Sequence, residues 1–372
     1  MFECHICKSK NIDEFDMSNF ERTISSDCKS ACGQYNIGFC KNCGCIVKNP
    51  TKSWKTHVTH IYDDYDIYLQ SNGKEKVVHD KRTGAQIPRS DVLINTYLDQ
   101  IQPPRLIEAL DIGAGTGVFL TSLARKTEHA KLYAHDLSDK NLDYLNRIPN
   151  FKGLFTEDIS SLNKKFNLVS MVQVLEHVLD PIKFLSSIKS VLDRAGALIV
   201  NVPDAENSAI DLMVYDHCTH FNMGTLESII EQAGYRVIFK SNRAIPGELV
   251  AIAVPDETVI PTPSEGFSNL SPQVAYLSKL RDAALNLGKE GNIDVFGSSI
   301  ASAWISQYIE NWGGCFVDED KNRIGNVLIG HKIIGPSDVS EGNVVLVPLA
   351  SKPSSEICER LSTPSVRYIA VT

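Results

Sequence analysis

The sequence lacks any long run of apolar residues. A membrane-spanning helix needs about 18 or more consecutive apolar residues, and no segment approaches that length. The opening residues, "MFECHICKSK", also lack the basic region and apolar stretch that together are typical of a signal peptide. We therefore expect a soluble, cytoplasmic protein with no membrane partner.

Basic residues are fewer than acidic ones. The chain has 37 Lys and Arg against 45 Asp and Glu, which gives a formal net charge of -8. A partner with a phosphate backbone would require a basic surface, so this balance argues against nucleic acid but allows a local pocket for a small anion. The 372 residues are 43% hydrophobic and 22% charged, which is ordinary for a globular chain of roughly two or three domains.

Cysteine is scarce except near the amino terminus, where seven of the ten cysteines lie within the first 45 residues. In a cytosolic chain this density favours metal binding over disulfides. The pairs Cys4-x-x-Cys7 and Cys40-x-x-Cys43 can supply the four thiolates of a tetrahedral zinc site. Four protein ligands leave the ion no open position, so we expect a structural role for it.

Two alternatives for these cysteines remain open. They could be buried reduced thiols, or they could form disulfides on oxidation. Cys28 and Cys32 could replace one of the pairs or bind a second ion, and Cys45 is left over.

Short apolar runs alternate with amphipathic stretches after Pro103-Pro104. The predicted strands include "LIEALDIG", "KLYAHD", "FNLVSMVQV" and "GALIVNVP", and the predicted helices between them are "GVFLTSLARK", "SDKNLDYLNRI" and "PIKFLSSIKSVL". This alternation predicts an α/β fold with a parallel sheet covered by helices on both faces. A linker rich in Pro and Ser, at 255–272, precedes a second and shorter α/β alternation. We therefore predict three domains, over 1–60, 61–255 and 256–372.

The stretch "ALDIGAGTGVFL" indicates a strand that ends near Asp111, followed by a tight glycine turn into a helix. Glycines allow the backbone to approach a ligand closely, and the start of a helix favours negative or polar ligand groups. The dinucleotide fingerprint G-x-G-x-x-G is not met, because Val118 occupies the third glycine position. Asp136 follows 19 residues after Gly117, at the end of the next strand, where a carboxylate can accept from both hydroxyls of a ribose.

The glycine loop with its preceding acid resembles motif I of the class I S-adenosylmethionine (SAM) methyltransferases, and "MVQVLEHVLDP" resembles their motif IV region. The resemblance implies SAM as cofactor and a Rossmann-like sheet. It places Asp158 near the adenine amino group and His177 near the methionine end. Alternatively, Glu176 and His177 only cap the helix that opens near Pro181. The resemblance to these methyltransferases implies cofactor contacts by Asp111, Gly113, Ala114, Gly115, Gly117, Asp136, Leu137, Asp158, Gln173 and His177.

The stretch "VYDHCTHF" places two of the chain's ten histidines three positions apart. It follows the strand "GALIVNVP" and precedes "TLESIIEQAGYRVIFK", which is predicted to form a helix, a turn and a strand. His217 and His220 therefore lie in an insertion beyond the carboxyl ends of the strands, where open α/β sheets bind ligands. They could be catalytic or contact the substrate, they could be structural, or they could bind a metal together with Asp216 and Cys218.

The whole layout resembles the sugar C-methyltransferases that act on nucleotide-linked deoxysugars. The shared marks are the two cysteine pairs, "DIGAGTG", "VLEHVLDP", "DHCTHFNMGTLESIIEQAGY" and the carboxyl-terminal "VFGSS" with "VDEDKNRIGNVLIGHKIIGP". The resemblance implies a small zinc-binding domain, a central SAM domain and a smaller Rossmann-like domain. It also implies that Asp216 and His217 supply the catalytic base, followed by the pair His220-Phe221. The Asp-His pair and the Gly297-Ser298-Ser299 turn depart from the family's Glu-His and Gly-x-Gly.

A histidine with a pKa near 6.5 can remove a proton from a sugar carbon next to a ketone at neutral pH, which turns that carbon into a nucleophile for the SAM methyl group. We therefore expect a SAM-dependent methyltransferase acting on a small molecule, with C-methylation of a nucleotide-linked sugar favoured. The alternatives are an O- or N-methyltransferase that uses the same base and a non-catalytic scaffold that binds SAM or a nucleotide. The glycine spacing argues against an oxidoreductase.

Overall fold

The computed structural model of the chain describes residues 2–31, 33–63, 65, 75–79 and 84–371. The amino-terminal part contains β1 (Ile12–Phe15), β2 (Thr23–Ile24), β3 (Ser30–Ala31), β4 (Ile37–Cys40), β5 (Ile46–Lys48) and α1 (Lys52–Asp63). The strands β1, β4 and β5 form an antiparallel sheet, and β2 pairs with β3.

The central part carries the large sheet. Its elements are β6 (Val77–His79), β7 (Gln86–Pro88), α2 (Arg89–Gln100), β8 (Ile107–Ile112), α3 (Val118–Lys126), β9 (Ala130–His135), α4 (Leu142–Leu145), β10 (Phe151–Phe155), β11 (Phe166–Val172), α5 (Pro181–Ile188), β12 (Leu192–Pro203), β13 (Thr219–His220), α6 (Met223–Gln232), β14 (Tyr235–Ser241) and β15 (Glu248–Pro255). Seven strands form one sheet in the order β10-β9-β8-β11-β12-β15-β14. The pairs from β10 to β12 are parallel, and β15 is antiparallel to both neighbours. The predicted α/β class is confirmed.

The strand order creates a binding crevice. Counted along the chain, the seven strands lie in the order 3-2-1-4-5-7-6, so the first five follow the order of the doubly wound dinucleotide-binding sheet. The order reverses between β8 and β11, and the crevice outside the carboxyl ends of such strands is where open α/β sheets bind ligands. The glycine loop begins at this edge.

Strand β11 occupies the middle of the sheet. Its Leu168, Val169 and Met171 are fully buried. Since helices cover both faces of a parallel sheet, side chains on both faces of a central strand are apolar, and "FNLVSMV" is close to continuous in apolar residues for this reason.

The insertion after β12 does not stay with the large sheet. It forms a 3₁₀ turn over Ala209–Met213 and then adds β13 to β5, with Thr219 opposite Val47 and His220 opposite Ile46 in antiparallel register. The insertion therefore completes the four-stranded sheet β1-β4-β5-β13. The predicted segment 1–60 shares its sheet with residues of the central domain.

The carboxyl-terminal part forms a smaller α/β unit. It contains α7 (Ser271–Leu287), β16 (Ile293–Phe296), α8 (Ile300–Ser306), β17 (Phe316–Val317), β18 (Val327–Leu328), β19 (His331–Ile334), β20 (Val344–Val347), α9 (Ser351–Leu361) and β21 (Arg367–Ala370). The sheet order is β18-β19-β17-β16-β20-β21, with β18 antiparallel. Residues 256–270, within the predicted linker, contain no helix or strand. Among the described residues, no helix is long and apolar enough to cross a membrane.

One predicted helix is much shorter than expected. The segment "SDKNLDYLNRI" contains only the four-residue α4. Leu142 N donates to Asp139 O at 2.9 Å and Tyr144 N donates to Asn141 O at 3.0 Å, which are the bonds of tight turns. Ser, Asp and Asn side chains compete for backbone hydrogen bonds and favour turns over helix interiors, which explains the difference.

We predict that Leu110→Ala destabilises the central domain by about 2–5 kcal/mol, because Leu110 is fully buried in β8 and its truncation leaves a cavity. The matched control is Leu137→Ala, which removes the same atoms from a side chain that is 78% exposed. Urea unfolding followed by circular dichroism measures both changes. Equal effects of the two substitutions would contradict the assignment of β8 to the core.

Candidate active site

The glycine loop joins β8 to α3 at the carboxyl edge of the large sheet. Gly113, Gly115 and Gly117 have φ values of 69°, 52° and 79°, which lie in the left-handed region that disfavours other residues. A Cβ atom would lie 2.5 Å from Val174 Cγ2 at Gly113 and 2.4 Å from Ile148 Cδ1 at Gly117. The backbone conformation therefore favours glycine at all three positions, and a side chain at Gly113 or Gly117 would also displace its neighbour.

Two acids flank this loop. Asp111 is buried, accepts a hydrogen bond from Ser170 Oγ at 2.7 Å, and burial raises the pKa of its carboxyl group to about 7. The carboxylate of Asp136 accepts from Gly115 N at 2.8 Å and from Leu137 N at 2.7 Å. The structure therefore holds the Asp136 carboxylate against the loop, where it can receive the ribose of a nucleoside cofactor.

The other predicted cofactor contacts lie along the same edge. Leu137 is 78% exposed, and Asp158 is exposed and caps a 3₁₀ turn by accepting from Ser160 N at 2.8 Å. Ala114 lies within the loop. Gln173 follows β11, has a φ of 58° and donates its backbone N–H to Asn201 O at 2.8 Å. A left-handed non-glycine residue carries strain that is common at ligand sites.

The two histidines of the insertion share one carboxylate. The Nδ1 atoms of His217 and His220 lie 2.6 Å from the two oxygens of Asp211. Burial opposes ionisation of Asp211, but the two rings beside it hold the pKa of its carboxyl below the usual range. Burial also opposes protonation of His217, yet Asp211 raises its pKa. Asp211 was missed in the sequence because it precedes His217 by six positions and matches no motif.

Asp216 makes different contacts from those expected. It is fully buried and accepts from Ser26 N at 2.9 Å and from Ser26 Oγ at 2.5 Å. Its Oδ2 lies 3.4 Å from His177 Nδ1. The carboxylate that contacts the His217 ring nitrogen is thus that of Asp211.

His177 and Glu176 meet the insertion directly. The rings of His177 and His217 are 4.6 Å apart and nearly perpendicular, and His177 Nδ1 contacts Tyr62 Oη at 2.9 Å and Asp216 O at 3.1 Å. Glu176 is 1% exposed, and burial raises the pKa of its carboxyl to about 8. Neither residue caps α5, since Asp180 accepts from Lys183 N in that role.

The amino-terminal part holds the insertion in place through its backbone. Lys48 N donates to Cys218 O at 2.9 Å, Trp54 Nε1 to Tyr215 O at 2.9 Å and Tyr35 Oη to Leu212 O at 2.6 Å. These donors satisfy carbonyl groups of a buried loop that has few partners of its own. The histidines therefore depend on the amino-terminal fold for their position.

The four predicted metal ligands converge. The Sγ atoms of Cys4 and Cys43 are 3.7 Å apart and those of Cys7 and Cys40 are 3.5 Å apart, and all four lie within 4.8 Å of one another. These separations exceed a disulfide bond of about 2.05 Å and suit thiolates around one tetrahedral ion.

Cys28 and Cys45 are not members of that group of four. Cys28 and Cys45 are buried free thiols, and Cys45 Sγ lies 3.9 Å from Cys43 O. Cys32 lies outside the described residues. The geometry therefore singles out the two Cys-x-x-Cys pairs.

The central part of the chain is similar to a known protein family. Residues 90–239 match the family model described as "Methyltransferase domain", and no curated protein matches the chain. The chain is similar to an S-adenosylmethionine-dependent methyltransferase from Clostridium acetobutylicum, with 16% identity, 54% of this chain and 99% of that chain covered, and a TM-score of 0.36. It is also similar to a SAM-dependent methyltransferase from Aquifex aeolicus, with 18% identity, coverages of 44% and 91%, and a TM-score of 0.37. Over residues 90–239 the chain is therefore similar to methyltransferase domains.

We predict that Asp136→Asn weakens SAM binding by about 10- to 100-fold, because a hydrogen bond to a charged group is worth about 1.5–3 kcal/mol. Isothermal titration calorimetry with SAM measures the change. Asp143→Asn, at an exposed position on α4, is the matched control and should bind SAM like the wild type. Unchanged affinity in Asp136→Asn would mean that another residue holds the ribose.

Proposed function

We propose that this enzyme transfers the methyl group of SAM to a carbon atom of a nucleotide-linked sugar, with His217 as the base. The observation that carries the proposal is the 2.6 Å contact between His217 Nδ1 and Asp211. An Nδ1–H that donates to a carboxylate leaves Nε2 as the nitrogen able to accept a proton. His217 also lies beside His177, which follows β11 at the carboxyl edge of the large sheet.

The proposed reaction needs one base and correct alignment. His217 Nε2 takes the proton from a carbon next to a carbonyl group, and the electrons of that C–H bond pass into an enolate. The enolate carbon then attacks the methyl group, a C–C bond forms, and the C–S bond breaks with its electrons moving to the sulfonium sulfur. Asp211 stabilises the imidazolium that results, and the acceptor and SAM need only be held in line.

The acceptor class rests on the resemblance of the full chain to sugar C-methyltransferases. The smaller α/β unit gives this acceptor class less support, because Ser298 N, two residues after β16, already donates to Asp318 Oδ2 at 2.8 Å. That backbone group is therefore not available to a phosphate in this conformation. The same base would equally serve an oxygen or nitrogen nucleophile, which makes O- or N-methylation the second candidate.

We predict that His217→Ala lowers methyl transfer by about 10²–10⁴-fold, the usual contribution of a general base, with SAM affinity unchanged. The assay uses labelled SAM and a panel of nucleotide-linked keto- and hydroxy-sugars, with the labelled atom located by NMR. His129→Ala, at an exposed histidine, is the control. Label on oxygen would overturn C-methylation, and SAM binding without any transfer would favour a non-catalytic scaffold.

We also propose that Cys4, Cys7, Cys40 and Cys43 bind a structural zinc ion. Their convergence within 4.8 Å supports this, and so does the position of Cys40, which ends β4 next to β5. Because β5 pairs with β13, an ion at this cluster would stabilise the sheet that carries His220.

We predict that Cys40→Ser abolishes zinc retention and increases hydrogen exchange over residues 214–221, while SAM still binds. Structural zinc sites contribute directly to folding, so loss of one ligand weakens the sheet that the insertion joins. Metal analysis and hydrogen–deuterium exchange measure the two effects, and Cys358→Ser, far from the cluster in α9, is the control. Unchanged exchange in the zinc-free variant would contradict the coupling.

A further inference from the structure

We infer that Glu176, His177 and His217 form a binding site for a divalent transition-metal ion, separate from the four-cysteine cluster. One ligand atom from each residue lies within 4.8 Å of the other two. Two imidazoles and one carboxylate are a ligand set that suits first-row transition metals and leaves coordination positions open for other ligands.

Glu176 is the residue that points to a ligand. Both of its carboxylate oxygens are buried and have no hydrogen-bond partner among the described residues, although the side chain is 1% exposed. Its backbone is fixed, because Cys218 N donates to Glu176 O at 2.8 Å. Buried polar groups without partners are costly and uncommon. A cation placed between this carboxylate and the two rings would satisfy it.

Both histidines are oriented as metal ligands usually are. His217 Nδ1 contacts Asp211 at 2.6 Å, and His177 Nδ1 contacts the backbone oxygen of Asp216 at 3.1 Å. Metal-binding histidines commonly donate one ring N–H to a carboxylate or a carbonyl oxygen, which fixes the ring and directs the other nitrogen to the ion. In both residues the nitrogen left for an ion is Nε2.

Buried carboxyl groups surround the proposed site. Asp211, Asp216 and Glu176 bring three carboxyl groups into one buried volume, each with 3% exposure or less. Lys48 is the buried amine beside them, and its Nζ donates to the carbonyl oxygen of Val214. Asp211 already lies between two imidazoles and Asp216 beside His177, whereas Glu176 has no such partner among the described residues, and a divalent ion would pair with its ionised carboxylate.

The dimensions fit after a small adjustment. Two ligand atoms on opposite sides of an ion are at most about 4.2 Å apart for bond lengths of roughly 2.1 Å. The three ligand atoms of this site lie within 4.8 Å of one another. The His177 side chain is 16% exposed, against 3% for that of His217, so it has the most room to move inward.

The site has a consequence that rests on the proposed function. A metal ion on His217 would occupy the Nε2 lone pair that the base uses for the proton. The ion and the proton then compete, and bound metal inhibits methyl transfer. Transition-metal ions would therefore regulate this enzyme at the active site itself.

The test is a Co²⁺ titration of the full-length protein, loaded first with one equivalent of Zn²⁺ to fill the cysteine cluster. We expect a second equivalent of metal to bind with the visible absorption bands of Co²⁺ and without a thiolate charge-transfer band. Glu176→Gln and His177→Gln should each weaken this binding at least about tenfold, since even outer-shell partners contribute 10–100-fold. Glu206→Gln, at an exposed position, should bind like the wild type.

Absence of a second equivalent in the wild type would overturn the site. Unchanged Co²⁺ binding in both variants would also overturn it. Thermal unfolding checks that each variant is folded, and two variants are used because one could fail to fold. Binding is read without acceptor, so it is independent of the methylation chemistry. Metal binding combined with stimulated methyl transfer would support the site and instead refute His217 as the base.

Discussion

The antiparallel pairing of β5 with β13 joins the candidate active site to the amino-terminal sheet. It is only two residues long on the insertion side, with Thr219 opposite Val47 and His220 opposite Ile46. Such a short strand cannot be stable alone, because a strand needs neighbours and a buried face. Here it gains both from the amino-terminal sheet. The cysteine cluster, the insertion and the histidines are therefore connected through one sheet.

This arrangement places unusual charge inside the protein. Asp211 lies between two imidazoles at 2.6 Å, and Glu176 lies beside one of them without a hydrogen-bond partner of its own among the described residues. Lys48 is fully buried, and burial lowers the pKa of its amine to about 7. Groups of this kind cost stability and are concentrated where chemistry or ligand binding requires them. The sheet and the backbone hydrogen bonds around the insertion offset that cost.

The local pattern predicted much of the large domain. The strand-helix alternation, the glycine loop and Asp136 lie where their spacing implied, because a buried parallel strand and the turn that follows it are encoded in neighbouring residues. The helix predicted at "SDKNLDYLNRI" is only four residues long in the structure, because the turn-forming side chains outweigh the apolar spacing. The spacing of each Cys-x-x-Cys pair predicted a metal site, but only the fold brings Cys4 to Cys43 and Cys7 to Cys40.

The sequence by itself determined the α/β class, the cofactor edge of the sheet and the identity of His217 as a residue of interest. Only the tertiary structure decided that Asp211, and not Asp216, holds His217, and that Glu176 and His177 lie against it. The physical reason is that adjacent residues in a loop point in different directions, so sequence neighbours need not touch. Contacts across the site are set by β13 joining β5, a long-range pairing that no local periodicity encodes.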